Sequence, residues 1–432
     1  MLKKPIQGRF SLARFSGYLI LGTILFTKAY SPTDAMATES LKSLTLSEAI
    51  QRTFNNHPEL QVFQYKMKAQ QGRVIQSDLS PKPEIELSFE DALGSGDFAG
   101  IDSAQTILSV SWVLDNNIRE KRTALATREL SLIESERAIK QLDTGTQTAR
   151  YFLKALSHQE STIIANRAIS LAEAMVQEIK QRIKVGKTPI AELYRAEAEL
   201  AKRKLVLVDL KHELESSIRE LAAQWGSTSP TFNSVSGSLM SQPSVISFHA
   251  LKNQITNNPS LAKFLSTERI KQAELRLVQE ERNPKWKFST GVRRYERTDD
   301  FGIVAGISIP FGGSNRNQGR IAEVQAKISQ NQSEADALRV RIETSLFIVY
   351  QQLEHNLHLG DMLKLEVIPK LEKTLTETRK AYELGKYSYL EWMAVQNDLL
   401  DAQSALLEAS LAAHINKIEL ERLTGTQITS PF

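Results

Sequence analysis

The sequence predicts a mainly α protein with a small β part, built as two copies of one plan. Three observations carry this reading. Apolar residues recur every seven positions along stretches too long for a compact domain. A set of landmarks repeats at an offset of about 200 residues. Between the helical stretches lie four short segments in which apolar and polar residues alternate.

Composition narrows the class. The 432 residues include 24% charged and 41% hydrophobic side chains, as in a folded chain, so disorder throughout is excluded. No cysteine is present. That removes disulfide scaffolds, Cys-ligated zinc, iron–sulfur clusters, a thiol nucleophile and a lipidated N-terminal Cys. Aromatic residues are only 7%, which suits long helices with a thin core better than a multidomain enzyme.

The first element is an export signal over residues 1–37. Lys3, Lys4, Arg9 and Arg14 form a basic start, Tyr18 to Phe26 an apolar run, and Ala35-Met36-Ala37 a cleavage site ending at Ala37. An earlier cut after Ala29 is the alternative. The apolar run is too short to span a bilayer as a helix. Its removal takes away Lys3, Lys4, Arg9, Arg14, Lys28 and Asp34, so the formal charge of +4 falls to zero. No nucleic-acid partner is therefore expected. No later run of 18 apolar residues exists, which leaves a β-barrel open.

The remainder divides into repeat one (44–226), a Ser/Thr/Pro-rich linker or equatorial side element (227–247), repeat two (248–425) and a tail (426–432). Ala49 to Leu60 matches Ala250 to Leu261, Lys184-Val185-Gly186-Lys187 matches Glu383-Leu384-Gly385-Lys386, and Trp225-Gly226 matches Thr424-Gly425. A unit of this length is a duplicated half of one fold rather than a solenoid repeat.

Each repeat opens with a helix, Leu46 to about Ser80 and Phe248 to about Arg282. Two strands follow. In the first, Ile85, Leu87 and Phe89 face one way and Glu84, Glu86, Ser88 and Glu90 the other; in the second, Leu108, Val110, Trp112 and Leu114 share a face. Repeat two offers Lys285 to Val292 and Gly302 to Ile309. Strands of 8–10 residues suit a tilted membrane strand, apolar outward and polar inward; two soluble hairpins are the alternative. Four strands cannot close a useful barrel and lone hairpins cannot sit in lipid, whereas three chains would supply twelve strands above a tube of helices.

The rods run from about Ile118 to Ile183 and from about Gly319 to Leu384, roughly 100 Å each. Leu125, Leu132, Ile139, Thr146 and Leu153 form one seam, with Leu142, Ala149, Leu156 and Ile163 offset by three. Ile321, Ile328, Ala335, Ile342 and Val349 form the second. After each Gly turn comes a ladder: Leu193, Leu200, Leu207, Leu214, Leu221, then Trp392, Leu399, Leu406, Ala413, Leu420. These stripes are coiled-coil core, not a cofactor box. Pro369 should kink the second rod.

Taken together, these residues resemble the TolC family of outer-membrane efflux channels. The Asn-x-Pro elements at Asn56-His57-Pro58 and Asn257-Asn258-Pro259, the turn Ile309 to Gly313, and Tyr382 to Trp392 before an Ala/Gln/Leu-rich helix carry the resemblance. It spans 44–425 and is nearest the heavy-metal branch of CzcC and CusC type. Two departures stand out: no lipidated Cys, and Asp115-Asn116-Asn117 in place of a Gly-Gly turn. The resemblance implies a homotrimer with its barrel in the lipid of a Gram-negative outer membrane and its tunnel in the periplasm. It implies a periplasmic adaptor (membrane fusion protein) and an inner-membrane RND-type pump as partners, no enzymatic activity and no cofactor. Metal cations are the expected cargo. A periplasmic adaptor or a secreted coiled-coil scaffold are the alternatives.

Gly186, Lys187, Gly385 and Lys386 are the expected docking tips, since Gly permits sharp reversal and close approach. Glu391 and Glu192, each six residues past a turn glycine, would line a periplasmic gate; Tyr382 would latch it by donating to Glu192, and a Glu391 ring would raise its own pKa. Glu354, His355, His358 and Asp361 cluster on one helix face, which reads as solvated rather than as a metal site. No nucleotide-binding or hydrolase motif stands in a credible setting.

Overall fold

The computed structural model describes residues 43–311 and 316–426. The signal segment with Ala37, the Gly312-Gly313 turn and the tail beyond 426 lie outside the described residues.

Each repeat opens with two helices rather than one. Helix α1 (Leu46–Asn56) starts in a capping box, Thr45 with Glu48, and ends at His57. Pro58 cannot continue the ladder, so a new helix α2 (Pro58–Ser77) begins, with His57 Nδ1 accepting from the Glu59 amide at 3.2 Å. In repeat two, α5 (Phe248–Gln254) runs into a 3-10 turn, and α6 (Pro259–Glu280) is capped by Asn258, whose Oδ1 accepts from the Ser260 amide at 2.8 Å. The single opening helix expected from periodicity is thus broken by the Asn-x-Pro element, because the residue before proline is driven out of the α region.

Strands β1 (Glu84–Glu90), β2 (Gln105–Leu114), β3 (Trp286–Tyr295) and β4 (Asp300–Ser308) form one antiparallel sheet in that order. The two hairpins therefore join: β2 pairs with β3 in the register Leu108↔Val292 and Trp112↔Phe288.

Helix α3 (Asn116–Lys184) is an unbroken rod of 69 residues, about 100 Å long. It returns as α4 (Ile190–Ala223). Repeat two differs: α7 (Gln318–Met362) passes through a π-helical turn, Leu363–Val367, into α8 (Ile368–Glu383), then returns as α9 (Tyr389–Thr424). The widened turn ends just before Pro369, where the missing N–H would otherwise break the ladder, so the expected disturbance takes this form.

The seams pack as coiled-coil core only in part. Leu153, Leu156, Leu221, Leu399 and Ala413 are at most 1% exposed, but Ile163 is 65% exposed and lies off the seam of a single chain. One core joins α1, α3, α4 and α9 and takes in Phe232, Val235 and Leu239. The 227–247 segment is therefore a packed side element. Its backbone is held by Gln159, which bonds both the N–H and the C=O of Val235 at 3.1 Å, and by Glu160, which accepts from Leu239 N at 2.9 Å. A second core joins α5, α7 and α9, and a third closes the hairpin tips.

Candidate functional site

The two hairpins meet at their turns, about 100 Å along α3 from the sheet. Both turns are Schellman motifs of identical design. Gly186 N–H bonds Ile183 O at 2.9 Å and Lys187 N–H bonds Arg182 O at 3.0 Å; Gly385 N–H bonds Tyr382 O at 2.9 Å and Lys386 N–H bonds Ala381 O at 2.8 Å. The glycines have φ of +68° and +74°, a conformation that a Cβ resists. A Cβ on Gly186 would meet nothing within 4 Å, and one on Gly385 only Arg182 Nη2 at 3.8 Å. Both sites face open space, and Lys187 and Lys386 beside them are exposed.

The residues after the turns diverge, and the divergence decides their chemistry. Ser388 caps α9 and holds Glu391: the carboxylate accepts from Ser388 N at 2.7 Å and Oγ at 2.8 Å. The amide and hydroxyl of Ser388 hold the Glu391 carboxyl below its ordinary pKa. The expected rise is thus reversed within a single chain: Glu391 is an exposed capping-box residue. Repeat one has Pro189 at the capping position, with neither hydroxyl nor N–H to offer. Glu192 is left uncaptured and accepts from the Tyr382 hydroxyl at 3.2 Å, joining α4 to α8.

Tyr382 is only 3% exposed and packs against Trp392 in a tilted pair with centroids 5.1 Å apart, in a core with Met175, Val176, Ile179 and Tyr389. Burial, reinforced by the Glu192 charge, pushes its hydroxyl pKa up and keeps the donor protonated.

Arg182 completes the tip, and sequence reasoning missed it. Its Nη1 donates to the carbonyls of Tyr382 and Glu383, both at 2.8 Å, and its Nε to Thr188 Oγ1 at 3.1 Å. The guanidinium also lies 4.7 Å from the Tyr382 ring centroid. A cation at the C-terminal end of α8 satisfies orphan carbonyls and meets the negative end of the helix dipole. A signal was available: repeat two has Ala381 at the matching position, so a charge beside the turn breaks the repeat. Farther up, buried Arg203 ties α4 to α9 through Asn397 Oδ1 at 2.9 Å.

At the other end the sheet presents a one-sided apolar surface. Ile85, Leu87, Leu108, Val110, Val292, Ile303 and Ile307 fall on one face by register, and all are exposed, Ile303 by 87%. Aromatics mark both ends of this band: Phe89 and Phe301 near the loops, Trp112, Phe288 and Trp286 near the helices. That is the pattern of a barrel wall in lipid. Among the described residues no helix is long and apolar enough to cross a membrane, and no group of His, Asp and Glu is placed to hold a metal ion. Glu354 accepts from Gln351 and Asp361 from Gln242 instead.

The model of outer membrane efflux proteins matches residues 49–227 and 250–426, once on each repeat. The chain belongs to the outer membrane efflux protein family. It is an outer-membrane efflux channel. Among its relatives is the cobalt-zinc-cadmium resistance protein CzcC of Cupriavidus metallidurans, 25% identical over 373 residues, 86% of each chain. The nickel-cobalt-cadmium resistance protein NccC of Alcaligenes xylosoxydans xylosoxydans is 24% identical over 203 residues, 45% of this chain and 44% of that one. Among solved structures, CusC superposes with a TM-score of 0.69 at 16% identity, covering 88% of this chain and 92% of that chain. VceC from Vibrio cholerae gives 0.69 at 16%, covering 89% and 97%. These likenesses bear out the mainly helical fold with its small antiparallel sheet.

Proposed function

We propose that three copies of this chain form the exit duct of a tripartite efflux system and that the cargo is a divalent heavy-metal cation. The observation that carries the duct is the sheet: its apolar face is bare, and β1 and β4 each leave one edge unpaired. Lipid tolerates no unpaired edge, so β4 of one chain would pair with β1 of the next, closing twelve strands. The hairpins would then wrap a periplasmic tunnel beneath. A secreted scaffold or an adaptor has no use for such a face.

The tips are read as the contact with a periplasmic adaptor, itself seated on an inner-membrane RND-type pump. Gly186 and Gly385 supply backbone open to approach, and Lys187 and Lys386 supply charge. Tyr382 and Glu192 act as a latch between hairpins, and Glu391 is a mouth carboxylate whose partner in the single chain is Ser388. The duct moves cargo without chemistry and needs no cofactor. Resemblance to CzcC and NccC favours divalent cations, since those proteins are named for cobalt, zinc, nickel and cadmium resistance.

The test pairs two measurements. Light scattering of the detergent-solubilised protein should give three times the mature mass, and deletion should sensitise cells to cobalt, zinc or cadmium. A monomer with its strands folded would overturn the barrel. Unchanged metal tolerance with accumulation of dyes or antibiotics would overturn the cargo and leave the duct standing.

A further inference from the structure

The polar face of the sheet carries few charges, and most are neutralised in place. By register it holds Glu84, Glu86 and Glu90 on β1, Lys287 and Arg293 on β3, and Asp300 at the first position of β4; β2 places no charge there. Lys287 reaches across β2 to Glu84 at 2.7 Å, and Arg293 reaches across it to Glu90 at 3.4 Å. Asp300 sits at the rim. Glu86 remains. Its row across the sheet runs Glu86, Ser109, Gly291, Val304 and contains no cation. Nor can the Gly291 position acquire one cheaply: a Cβ there would lie 2.5 Å from Leu108 O and 2.8 Å from Ser109 Cα. Backbone approach keeps the row bare, and Glu86 is exposed on it.

We propose that Glu86 is the residue that makes the barrel lumen prefer cations. The inference rests on the trimeric reading above, in which the polar face lines the bore. Threefold symmetry would put three Glu86 carboxylates at one height in the wall. A twelve-stranded barrel with strands about 4.8 Å apart and tilted about 40° has a radius near 12 Å. The Debye length is about 10 Å at 0.1 M salt, about 30 Å at 0.01 M and about 3 Å at 1 M. The field of the ring therefore fills the bore in dilute salt and hugs the wall in concentrated salt. A water-filled bore of this width holds no ion at a fixed place, so Glu86 acts by concentrating cations rather than by ligating one. Such a bias suits a cationic cargo leaving by diffusion.

The experiment is a reversal-potential measurement on single channels of the full-length trimer in planar bilayers under a KCl gradient. Glu86→Gln and Glu86→Ser should each lower the cation-to-anion permeability ratio about threefold near 0.01 M KCl and leave it unchanged near 1 M. Two variants are used because Ser already occupies neighbouring positions on this face and keeps the alternation. Reversal potentials equal to wild type in dilute salt, with trimers and unitary conductance intact, would overturn the proposal. A wild-type protein that forms neither trimers nor channels would overturn the barrel reading itself, and this assignment with it.

Discussion

Removing the Tyr382 hydroxyl should loosen the hairpin tips without unfolding them. Tyr382→Phe keeps the ring, its tilted contact with Trp392 at 5.1 Å and its packing in the tip core. It deletes the hydroxyl's charge-assisted hydrogen bond to Glu192, 3.2 Å long, together with its hydrogen bond with the Thr188 side chain. Bonds to charged groups contribute about 1.5–3 kcal/mol, and this one is long, so about 1.5 kcal/mol is the fair figure. Each link would then shift the balance between joined and parted hairpins by roughly tenfold. Three links opening together would shift it about a thousandfold. Arg182→Gln should act in the same direction, since it removes the charge behind two 2.8 Å bonds to the carbonyls of Tyr382 and Glu383. Raised pKa fixes the pH sign: the protonated hydroxyl contributes fully below about pH 10 and is lost only as pH rises through the raised value. Single-channel recording near neutral pH reads the outcome as higher conductance and longer open times in both variants. A double-mutant cycle of Tyr382→Phe with Glu192→Gln should give a coupling near 1 kcal/mol. Zero coupling, with conductance unchanged and trimers intact, would refute the latch.

Three further outcomes follow from the caps and the equator. His57 caps α2 with neutral Nδ1, and burial holds its pKa below 6.5; the cap is present above that value and lost as pH falls through the lowered one. His57→Asn, the arrangement Asn258 already uses, should abolish this acid sensitivity, worth about 1 kcal/mol in melts between pH 7 and pH 5. Burial raises Glu421 from 4.5 to about 7, and its Oε2 has no hydrogen-bond partner, so the fold is weakened as pH rises between those two values and stays weakened above them. Glu421→Gln should raise thermal stability by about 1–2 kcal/mol at pH 8, after discounting for its partial solvation, relative to its effect near pH 4, where the carboxyl is largely protonated in both the folded and the unfolded state. A Cβ on Gly425 would lie 2.5 Å from Asn257 O, so Gly425→Ala should destabilise by more than the about 1–2 kcal/mol of backbone strain expected at open Gly186, as melts of the two variants would show.

The long helices, the duplication and the strand alternation were legible because each is a periodic property of the chain. Seven-residue spacing names a seam whatever it packs against, and period-two alternation names two faces of a strand. The reversals at Gly186 and Gly385 were legible for the same local reason, since a left-handed turn selects glycine within a few residues. Tyr382 and Glu192 were reached through family resemblance, and the 3.2 Å bond between them comes from the way the hairpins pack.

What the sequence determined by itself is therefore the set of elements and their local ends. The structure decided how they meet. Opening helices broke at His57 and Asn258, because proline overrides a periodicity that continues through it. The two β-hairpins became one sheet through β2 and β3, a pairing between segments nearly 200 residues apart that no local pattern encodes. Ile163 left its seam, while Phe232, Val235 and Leu239 of the supposed linker entered the core. Equivalent glutamates took opposite roles: Ser388 captured Glu391 and Pro189 left Glu192 to Tyr382. Arg182 gained its role only because α8 ends against α3 and leaves carbonyls there to satisfy. Periodicity fixes what a segment is. The partner of each polar group is fixed by distances between segments far apart in the chain, and those exist only once the hairpins have packed.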